Sequence, residues 1–368
     1  MSDQFYGDPS GFENSMDIGF VSSNYCGQMM PQSTLGVSQF AMNPPATVTV
    51  QFGTPTIRPL PNIDPSVDAK LLRKAMKGIG CNSKVVLEII CTRSNSQRQQ
   101  IKASFGQMFG RDLIKDLLSE LSGNFKELII ALMTTPAVYD AKELYRAMEG
   151  LGTKENILIE IMCSRTNAQI RAIKSAYIQI FRRNLEDDII GDTSGYFKNV
   201  LLALCAAVRD ESGQQNVAQA REIAKTLFRA GEGRWGTNET VFIKILSTHN
   251  FCQLALIFNE YRNVTGHSMD VAIRREFSGD IKDALLAIFF VCSNRFAFFA
   301  EEFENSMKGL GTKDRDLIRL TVTRSEFDLA DIKREYQRLF GRKLEDRIID
   351  DTSGKYRNAL LTLVRGNY

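Results

Sequence analysis

The sequence predicts an all-α protein of four repeats, each with about five helices, preceded by an irregular N-terminal leader. A short glycine loop recurs four times, and a carboxylate follows each loop at a constant offset of 40 residues. Between the loops, apolar residues recur at helical spacing. The distance between successive loops varies from 72 to 84 residues. The spacing from loop to acid is therefore constant although the spacing between loops is not, which indicates that one site is repeated four times.

Residues 1–64 are predicted to form a flexible or extended leader. They mix Gly, Ser, Pro, Gln, Met and aromatic residues without a sustained helical period. The alternation in residues 48–52 and the prolines at 55, 59 and 61 favour an extended strap, because proline disfavours helix at itself and at the preceding residue. A protein partner bound through the leader stays an open alternative, although residues 1–20 show no amphipathic helix.

Apolar residues at helical spacing predict five helices in the first repeat. They lie in residues 69–76 and 85–90, around Ile101, Phe105 and Met108, around Leu113, Leu117 and Leu118, and around Phe125, Leu128, Ile129 and Leu132. Glycine loops and Ser-Asn, Phe-Gly-Arg and Ser-Gly sequences separate these segments and supply caps and turns.

The same order of segments recurs along the chain. We place the repeats at 65–136, 137–208, 209–295 and 296–368, and the third range includes a linker. The third copy diverges, since Ser-Thr-His-Asn250 stands where the first copy has Cys-Thr-Arg-Ser-Asn95. The polar segment before the third copy, residues 209–216, predicts a hinge or strap between the two halves of the chain.

The composition is that of a globular protein with a substantial core, 43% hydrophobic and 24% charged. The net charge is +3, and the leader itself carries five acids and one base, so the body is basic. A mildly basic body suits an anionic partner. The charge is spread along the chain without an RNA-binding aromatic motif, a zinc pattern or an arginine tract, so we expect no nucleic-acid binding.

Several features favour a cytoplasmic protein. The N-terminus shows no basic stretch followed by an apolar run, so we expect no secretory signal. The apolar run at residues 284–292 is about half of the roughly 20 residues that span a bilayer, which predicts a core helix. The seven cysteines form no CxxC pair, and Cys91 and Cys163 occupy equivalent apolar positions. This pattern indicates buried thiols in a reducing compartment.

A single loop of this kind has an ordinary structural explanation. Glycine can end a helix, and an acid before Ser-Gly can cap or charge the start of the next helix. The four-fold pairing argues for a site, because a fold does not need an acid at each of these places. The four acids are Glu120, Asp192, Glu276 and Asp351.

The ligand chemistry of the loops favours calcium. Glycine turns at helix ends leave peptide carbonyls free, and a hard cation takes such oxygens together with carboxylate. No His or Cys accompanies the loops as zinc requires, and no EF-hand loop occurs. Three carbonyls and one bidentate acid leave about one or two of calcium's six to eight positions open. A phosphate oxygen can complete such a positively charged, incomplete cage.

With these loops the chain resembles the annexins. The resemblance covers residues 65–368 and rests on four G-x-G-T-type loops with their acids and on the D-T-S-G-x-Y/F signature at 192–197 and 351–356. It implies a curved disc of four five-helix repeats, with calcium loops on the convex face and the termini on the concave face. It also implies calcium-dependent binding to acidic phospholipids such as phosphatidylserine.

The resemblance also implies a ligand set for each repeat, three backbone carbonyls and one carboxylate. These ligands are Met76, Gly78, Gly80 and Glu120; Met148, Gly150, Gly152 and Asp192; Gly231, Arg234, Gly236 and Glu276; and Met307, Gly309, Gly311 and Asp351.

Repeats one and three depart from the family pattern. Repeat one has Cys81-Asn-Ser after its last glycine instead of Thr-Asp-Glu, which removes a hydroxyl and nearby acids, so we expect a weaker site there. Repeat three lacks the Met-Lys-Gly opening. The Arg234 guanidinium is either a contact to a lipid phosphate or a solvated side chain. Repeats two and four keep the whole pattern.

An apolar residue stands at the tip of every loop. A tip of this kind often tucks inward, but four copies favour insertion at the membrane interface, where Trp is frequent. The tips are Ile79, Leu151, Trp235 and Leu310.

Charged residues inside apolar helices form a second group. By the resemblance they line a polar channel through the centre of the disc, and the alternative is a buried ion-pair network that fixes the orientation of the repeats. We favour the network and keep ion conduction as a minor alternative. The residues are Asp140, Glu160, Arg165 and Arg319.

Calcium-bridged, reversible attachment to acidic membranes is the function that the sequence favours, with membrane tethering or scaffolding as its outcome. An enzyme is disfavoured, because only His249 and His267 are present and neither accompanies a nucleophile or a nucleotide-binding loop. A helical-repeat scaffold that binds proteins remains the other alternative. Self-association on the membrane and export without a signal stay open.

Overall fold

The structure is a computed structural model, and it describes residues 53–78 and 80–367. Within these ranges it contains nineteen α-helices and no strand. The predicted all-α fold of four repeats is therefore confirmed.

The first two repeats contain five helices each. Repeat one has α1 (Pro65–Ala75), α2 (Ser83–Ile90), α3 (Asn95–Phe109), α4 (Leu113–Glu120) and α5 (Gly123–Met133). Repeat two has α6 (Pro136–Met148), α7 (Glu155–Ser164), α8 (Asn167–Phe181), α9 (Leu185–Asp192) and α10 (Gly195–Cys205).

The last two repeats share one long helix. Repeat three has α11 (Val217–Ala230), α12 (Glu239–Thr248), α13 (Phe251–Thr265) and α14 (Met269–Glu276). The shared helix is α15 (Gly279–Met307). Repeat four continues with α16 (Asp314–Ser325), α17 (Leu329–Phe340), α18 (Leu344–Asp351) and α19 (Gly354–Arg365).

Helix α15 bends at Asn294, whose backbone is not helical (φ −157°, ψ 92°). The Asn294 side chain accepts a hydrogen bond from the Ala297 amide, as an N-cap does, so a new helix begins there. Counted on both sides of this kink, every repeat has five helices. In the described part of the chain, α15 alone is long and apolar enough to cross a membrane, but half of its most apolar window is buried among other helices, as in a core helix.

Polar residues at the predicted punctuation fix where the third helices begin. Ser94 and Thr166 each form a capping box with the glutamine three residues later, Gln97 and Gln169. Asn250 accepts a hydrogen bond from the Gln253 amide at the start of α13, so the divergent third copy keeps the cap with a different residue.

The four repeats pack through one pattern of helix pairs. In each repeat the first helix lies against the third, as α1 against α3 and α6 against α8. Helix α5 of repeat one also contacts α16 and α19 of repeat four, and α10 of repeat two contacts α12 and α15. One continuous apolar core results, and it includes fully buried aromatic side chains such as Phe105, Tyr177 and Phe303.

The end of the predicted leader is an extended strap packed on the helices. The Thr56 and Ile57 amides donate to the Ser325 carbonyl at 2.8 and 2.9 Å, and Ile57 is buried. The Gln97 side chain donates to the Leu60 carbonyl at 2.7 Å. The strap therefore ties repeat four to repeat one. Residues 1–52 of the predicted leader lie outside the described residues.

Candidate calcium-binding loops

Each glycine loop joins the first helix of a repeat to the second and is closed by the same backbone hydrogen bond. The amide before or at the start of the second helix donates to a carbonyl near the end of the first. These bonds run from Asn82 to Ala75 (2.8 Å), Lys154 to Ala147 (2.9 Å), Asn238 to Ala230 (2.7 Å) and Lys313 to Ser306 (2.8 Å). The divergent third loop is thus one residue longer but closes in the same way.

The loops need glycine because of their backbone conformation, and not because a side chain would clash with neighbouring atoms. Gly150 and Gly152 have φ angles of 99° and 82°, in the left-handed region where side chains are strained, and no atom lies within 4 Å of where a Cβ would stand. The glycines of repeats one and four adopt nearly the same angles. The turn therefore depends on backbone conformations that glycine adopts without strain.

The four acids are each the last residue of the fourth helix of their repeat, α4, α9, α14 and α18. A negative charge at a helix C-terminus is unfavourable, because the macrodipole is negative there. The N-cap of the following helix is the serine two residues later, such as Ser194 after Asp192. The acids therefore do not cap the helices that follow them, and their place in the repeat needs another explanation.

A threonine hydroxyl holds the acid against the loop in repeats two, three and four. Thr153 donates to Asp192 Oδ2 at 2.7 Å, Thr237 to Glu276 Oε2 at 2.5 Å, and Thr312 to Asp351 Oδ2 at 2.6 Å. This role of the threonines is not among the predictions from the sequence. Their signal was present, since each follows the last loop glycine and precedes its acid by 39 residues.

In repeat three the loop and its acid are in direct contact. A Cβ on Gly231 would stand 3.4 Å from the carboxyl carbon of Glu276. The Arg234 amide donates to the Gly231 carbonyl at 3.0 Å, which still leaves a second lone pair on that oxygen. The Arg234 side chain is exposed.

Repeat one lacks the hydroxyl donor. Cys81 takes the place of the threonine, and burial together with the nearby Glu120 carboxylate raises the pKa of its thiol. A neutral thiol donates only weakly. Glu120 lines a cleft of about 320 Å³ that also includes Ser122, Lys355 and Tyr356, so repeat four contributes to the surroundings of the first acid.

Repeat four contains an additional cation at its loop. The Arg347 guanidinium donates to the Met307 carbonyl and lies 3.4 Å from Asp351 Oδ1. Two residues of the predicted ligand set thus already have a positively charged partner. Repeats two and four both keep the loop pattern in sequence, but only repeat four has this arginine at its loop.

The apolar loop tips that the structure describes are fully exposed. Leu151, Trp235 and Leu310 have relative exposures of 107, 101 and 109%. Ile79 lies outside the described residues. These three apolar side chains, at the same place in similar loops, therefore have no role in packing the core.

The four predicted channel residues are buried and form two ion pairs. Arg165 makes a bidentate contact to Asp140 at 2.7 and 3.0 Å. Arg319 contacts Glu160 at 2.7 Å and Asp316 at 2.9 Å. Charges that satisfy each other in this way fit a network that orients the helices.

The donor atoms fit a hard divalent cation. Each loop offers carbonyl oxygens and one carboxylate, which are the ligands that calcium prefers. Over residues 53–78 and 80–367 no group of three or more His, Cys, Asp and Glu side chains is placed to hold a metal. A metal at these loops would therefore be held chiefly by backbone carbonyls.

Comparison with known proteins gives one consistent family. A family model described as Annexin matches residues 67–132, 139–204, 222–288 and 298–363. The chain is 46% identical to human annexin A11 over 324 residues, which are 88% of this chain and 64% of that protein. It is 48% identical to human annexin A7 over 320 residues, 87% of this chain and 65% of that protein. The chain thus spans about two thirds of the length of these relatives.

Solved structures show the same fold. Annexin III superposes with a TM-score of 0.84 at 42% identity and covers 87% of this chain and 100% of its own. A calcium-bound annexin, annexin (Sm)1, superposes with a TM-score of 0.79 at 33% identity and covers 86% of this chain and 94% of its own.

Proposed function

The chain belongs to the annexin family, and from that premise we propose that it attaches reversibly to acidic phospholipid membranes through calcium held at its glycine loops. Annexins as a family bind phospholipid in a calcium-dependent way and are not enzymes. One observation carries the proposal for this chain. In three repeats a carboxylate is fixed beside a glycine loop by a threonine hydroxyl, and the same loop presents a fully exposed apolar tip.

The chemistry of the loop explains why calcium and lipid would bind together. Calcium supplies two positive charges to a cage with one carboxylate, so the occupied loop carries a net charge of about +1 with open coordination positions. A lipid phosphate oxygen fills such a position and cancels the charge. The coupling is reciprocal, so acidic lipid should tighten calcium by the same factor by which calcium tightens lipid.

The exposed tips would add apolar contact to this bridge. Leu151, Trp235 and Leu310 are each adjacent to the last glycine of their loops, so they would reach the membrane interface when the phosphate is bound. Interfacial residues of this type, and tryptophan above all, sit at the level of the lipid headgroups.

The buried ion pairs favour a structural role over ion conduction. Asp140 and Arg165 neutralise each other, and so do Glu160 and Arg319. Paired charges of this kind hold helices in place and do not offer free sites for a passing ion. We therefore place a cytoplasmic, peripheral membrane protein ahead of a channel. The exposed apolar tips of three loops place it ahead of a scaffold that binds proteins only.

Sedimentation with phosphatidylserine-containing vesicles at graded free calcium tests the proposal. We expect the full chain to bind only with calcium and to leave the vesicles when a chelator is added. The double variant Asp192→Ala and Asp351→Ala should need several-fold more calcium. A matched double variant at exposed acids of the same helices, Asp187→Ala and Asp350→Ala, should not. Binding that persists in excess chelator would contradict the proposal.

Trp235 gives an independent readout of the apolar contact, because it is the only tryptophan in the chain. It is fully exposed, so its emission should shift to the blue when calcium and acidic vesicles are added together, and not with either alone. An unchanged spectrum with normal sedimentation would exclude insertion of this tip and keep the calcium bridge.

A further inference from the structure

Arg347 distinguishes repeat four from the other repeats. It lies on α18 one helical turn before Asp351, so both side chains are on the same face of the helix. At the corresponding position, four residues before the acid, the other repeats have Asp116, Asp188 and Ala272. Only the fourth repeat therefore has a cationic side chain one helical turn before its acid, on the same face of the helix. In repeat three Arg275 directly precedes Glu276, but its guanidinium pairs with Glu232.

The guanidinium is placed inside the predicted ligand set. Its Nη2 donates to the carbonyl of Met307, and its Nη1 lies 3.4 Å from Asp351 Oδ1. Thr312 already donates to Asp351 Oδ2, so both carboxylate oxygens have a partner. The Arg347 side chain is only 18% exposed, so it is held in this position by its surroundings.

Repeat two shows what the same loop is like without such a cation. Thr153 donates to one oxygen of Asp192, as Thr312 does to Asp351. The residue one turn earlier, Asp188, instead pairs with Arg183 and accepts from the Tyr177 hydroxyl. Among the described residues no basic side chain lies within 4 Å of the Asp192 carboxylate.

A guanidinium and a calcium ion need the same partners. Both bind carbonyl and carboxylate oxygens, and both cannot occupy one small cage, because their charges repel and their ligands are shared. A side chain tethered to the protein has a high local concentration and does not have to be captured from solution. Calcium would therefore meet a cage that is already neutralised.

We propose that Arg347 is a tethered cation that occupies the repeat-four loop and has to leave before calcium enters. The inference rests on the proposed function, since it assumes that the loops bind calcium. Glu304 supplies a place for the displaced side chain, because Arg347 Nε already lies 3.5 Å from Glu304 Oε2. Repeat four would then respond only at higher calcium than repeat two, which would give the protein two calcium thresholds.

A positioning role for Arg347 predicts the opposite sign. If the guanidinium served to hold Asp351 in the geometry that calcium needs, its removal would weaken calcium binding. If it competes with calcium, its removal strengthens binding. The direction of the change therefore decides between the two roles.

The test isolates single loops in the full chain. Replacing Glu120, Asp192 and Glu276 by their amides leaves repeat four as the intact site, and replacing Glu120, Glu276 and Asp351 leaves repeat two. Calcium binding is measured by isothermal titration calorimetry and by the free calcium at half-maximal sedimentation with phosphatidylserine vesicles. With Arg347 unaltered, we expect the repeat-four protein to need about tenfold more calcium than the repeat-two protein.

Arg347→Met then removes the charge and the guanidinium but keeps the apolar stem of the side chain. We expect it to lower the calcium requirement of the repeat-four protein about tenfold and to leave the repeat-two protein unchanged. Arg342→Met is the matched control, because Arg342 lies in the turn before α18 and pairs with the exposed Asp350 of that helix. It should change neither protein by more than about twofold.

Unchanged or weakened calcium binding in the Arg347→Met protein would overturn the inference while the wild-type chain still binds vesicles with calcium. Equal calcium requirements of the repeat-two and repeat-four proteins would overturn it without any change at residue 347. If the wild-type chain itself bound no calcium, the proposed function would fail, and this inference would fail with it. Thermal unfolding of every variant shows whether it is folded.

Discussion

At the scale of single residues, the loops differ in one hydroxyl that contacts the acid. The threonine that follows the last glycine orients the acid in three repeats, and Cys81 replaces it in the first. A carboxylate that is oriented before binding loses less conformational freedom when the metal arrives. The four loops of one chain are therefore unequal for a reason that can be tested at one position.

Replacing Cys81 by Thr should strengthen calcium binding at repeat one. The new hydroxyl would donate to Glu120 as Thr153 does to Asp192, and we expect a calcium requirement that is two- to fivefold lower. The measurement is vesicle sedimentation with repeat one as the only intact loop. Cys81→Val is the matched control, because Val has the shape of Thr without the donor. Equal behaviour of the Thr and Val proteins would exclude the hydrogen bond as the cause.

Glu302 is expected to make the stability of the fold depend on pH near neutrality. Burial, and then the nearby Glu160 carboxylate, raise the pKa of Glu302 from its ordinary value of 4.5 to about 7. The folded state therefore holds a proton that the unfolded state has lost, and stability should fall as the pH rises from 4.5 to about 7. The Glu302→Gln protein should lose most of this slope and be more stable at pH 8 by roughly 1–2 kcal/mol, after allowance for solvent screening.

Thermal unfolding followed by circular dichroism between pH 5 and pH 8 measures this slope. The wild-type protein should show the steeper decline. Glu301→Gln is the control, since Glu301 is exposed next to Glu302 on the same helix. Identical slopes in the wild-type and Glu302→Gln proteins would show that Glu302 is ionised in the folded state throughout this range.

At the scale of elements, the strap shows how an irregular segment becomes part of the fold. It has no helix of its own, so its amides are satisfied by other elements, as when Thr56 and Ile57 donate to the Ser325 carbonyl. In the other direction, the Ala330 amide donates a hydrogen bond to the Thr54 carbonyl at 3.1 Å. The strap therefore lies at the junction of α16 and α17 in a narrow space.

Gly53→Ala should loosen the strap. A Cβ at Gly53 would stand 2.3 Å from Asp328 Cβ and 2.7 Å from the Phe327 carbonyl oxygen, so the backbone has to shift. We expect a loss of about 1–3 kcal/mol in the free energy of unfolding, as for other overpacked sites. Urea unfolding measures it. Gly191→Ala in α9 is the control, because no atom lies within 4 Å there and alanine favours helix.

At the scale of the whole molecule, the first and last repeats are joined by an ion pair between residues that are far apart in the chain. Arg98 on α3 is nearly fully buried and contacts Glu326, which follows α16, at 2.6 Å. Glu326 also accepts from the Asn95 amide at 2.9 Å, at the start of α3. Burial lowers the pKa of Arg98, which shows the cost of its desolvation. The strap and this pair together connect repeat four to repeat one.

Glu326→Gln should destabilise the molecule more than loss of a surface acid. It leaves the Arg98 charge buried without its partner. We expect the free energy of unfolding to fall by about 2 kcal/mol, which is less than for a fully buried pair because Glu326 is partly exposed. The melting temperature should fall by several degrees. Glu222→Gln, which breaks an exposed pair with Lys225, should change it little. Equal effects of both substitutions would contradict this account.

The sequence by itself determined the fold class and the family. Helical spacing, the glycine loops and their acids are local patterns repeated at fixed offsets. They can be recognised in the sequence alone, because they do not depend on which helices pack together. The extended strap was predictable for the same reason, because its prolines restrict the backbone where they stand. The helices of the described residues and the four family matches confirm the predicted fold class and family.

Only the tertiary structure decided which side chains meet. Thr153 donates to Asp192, Arg347 contacts the fourth loop, and Arg98 pairs with Glu326. These contacts form because the packing of the helices brings the side chains together. Repeats two and four have the same ligand residues in sequence and differ in the side chains that surround those ligands. Charge pairing acts over a few ångströms in space whatever the distance along the chain, and so it becomes visible only when the helices are in place.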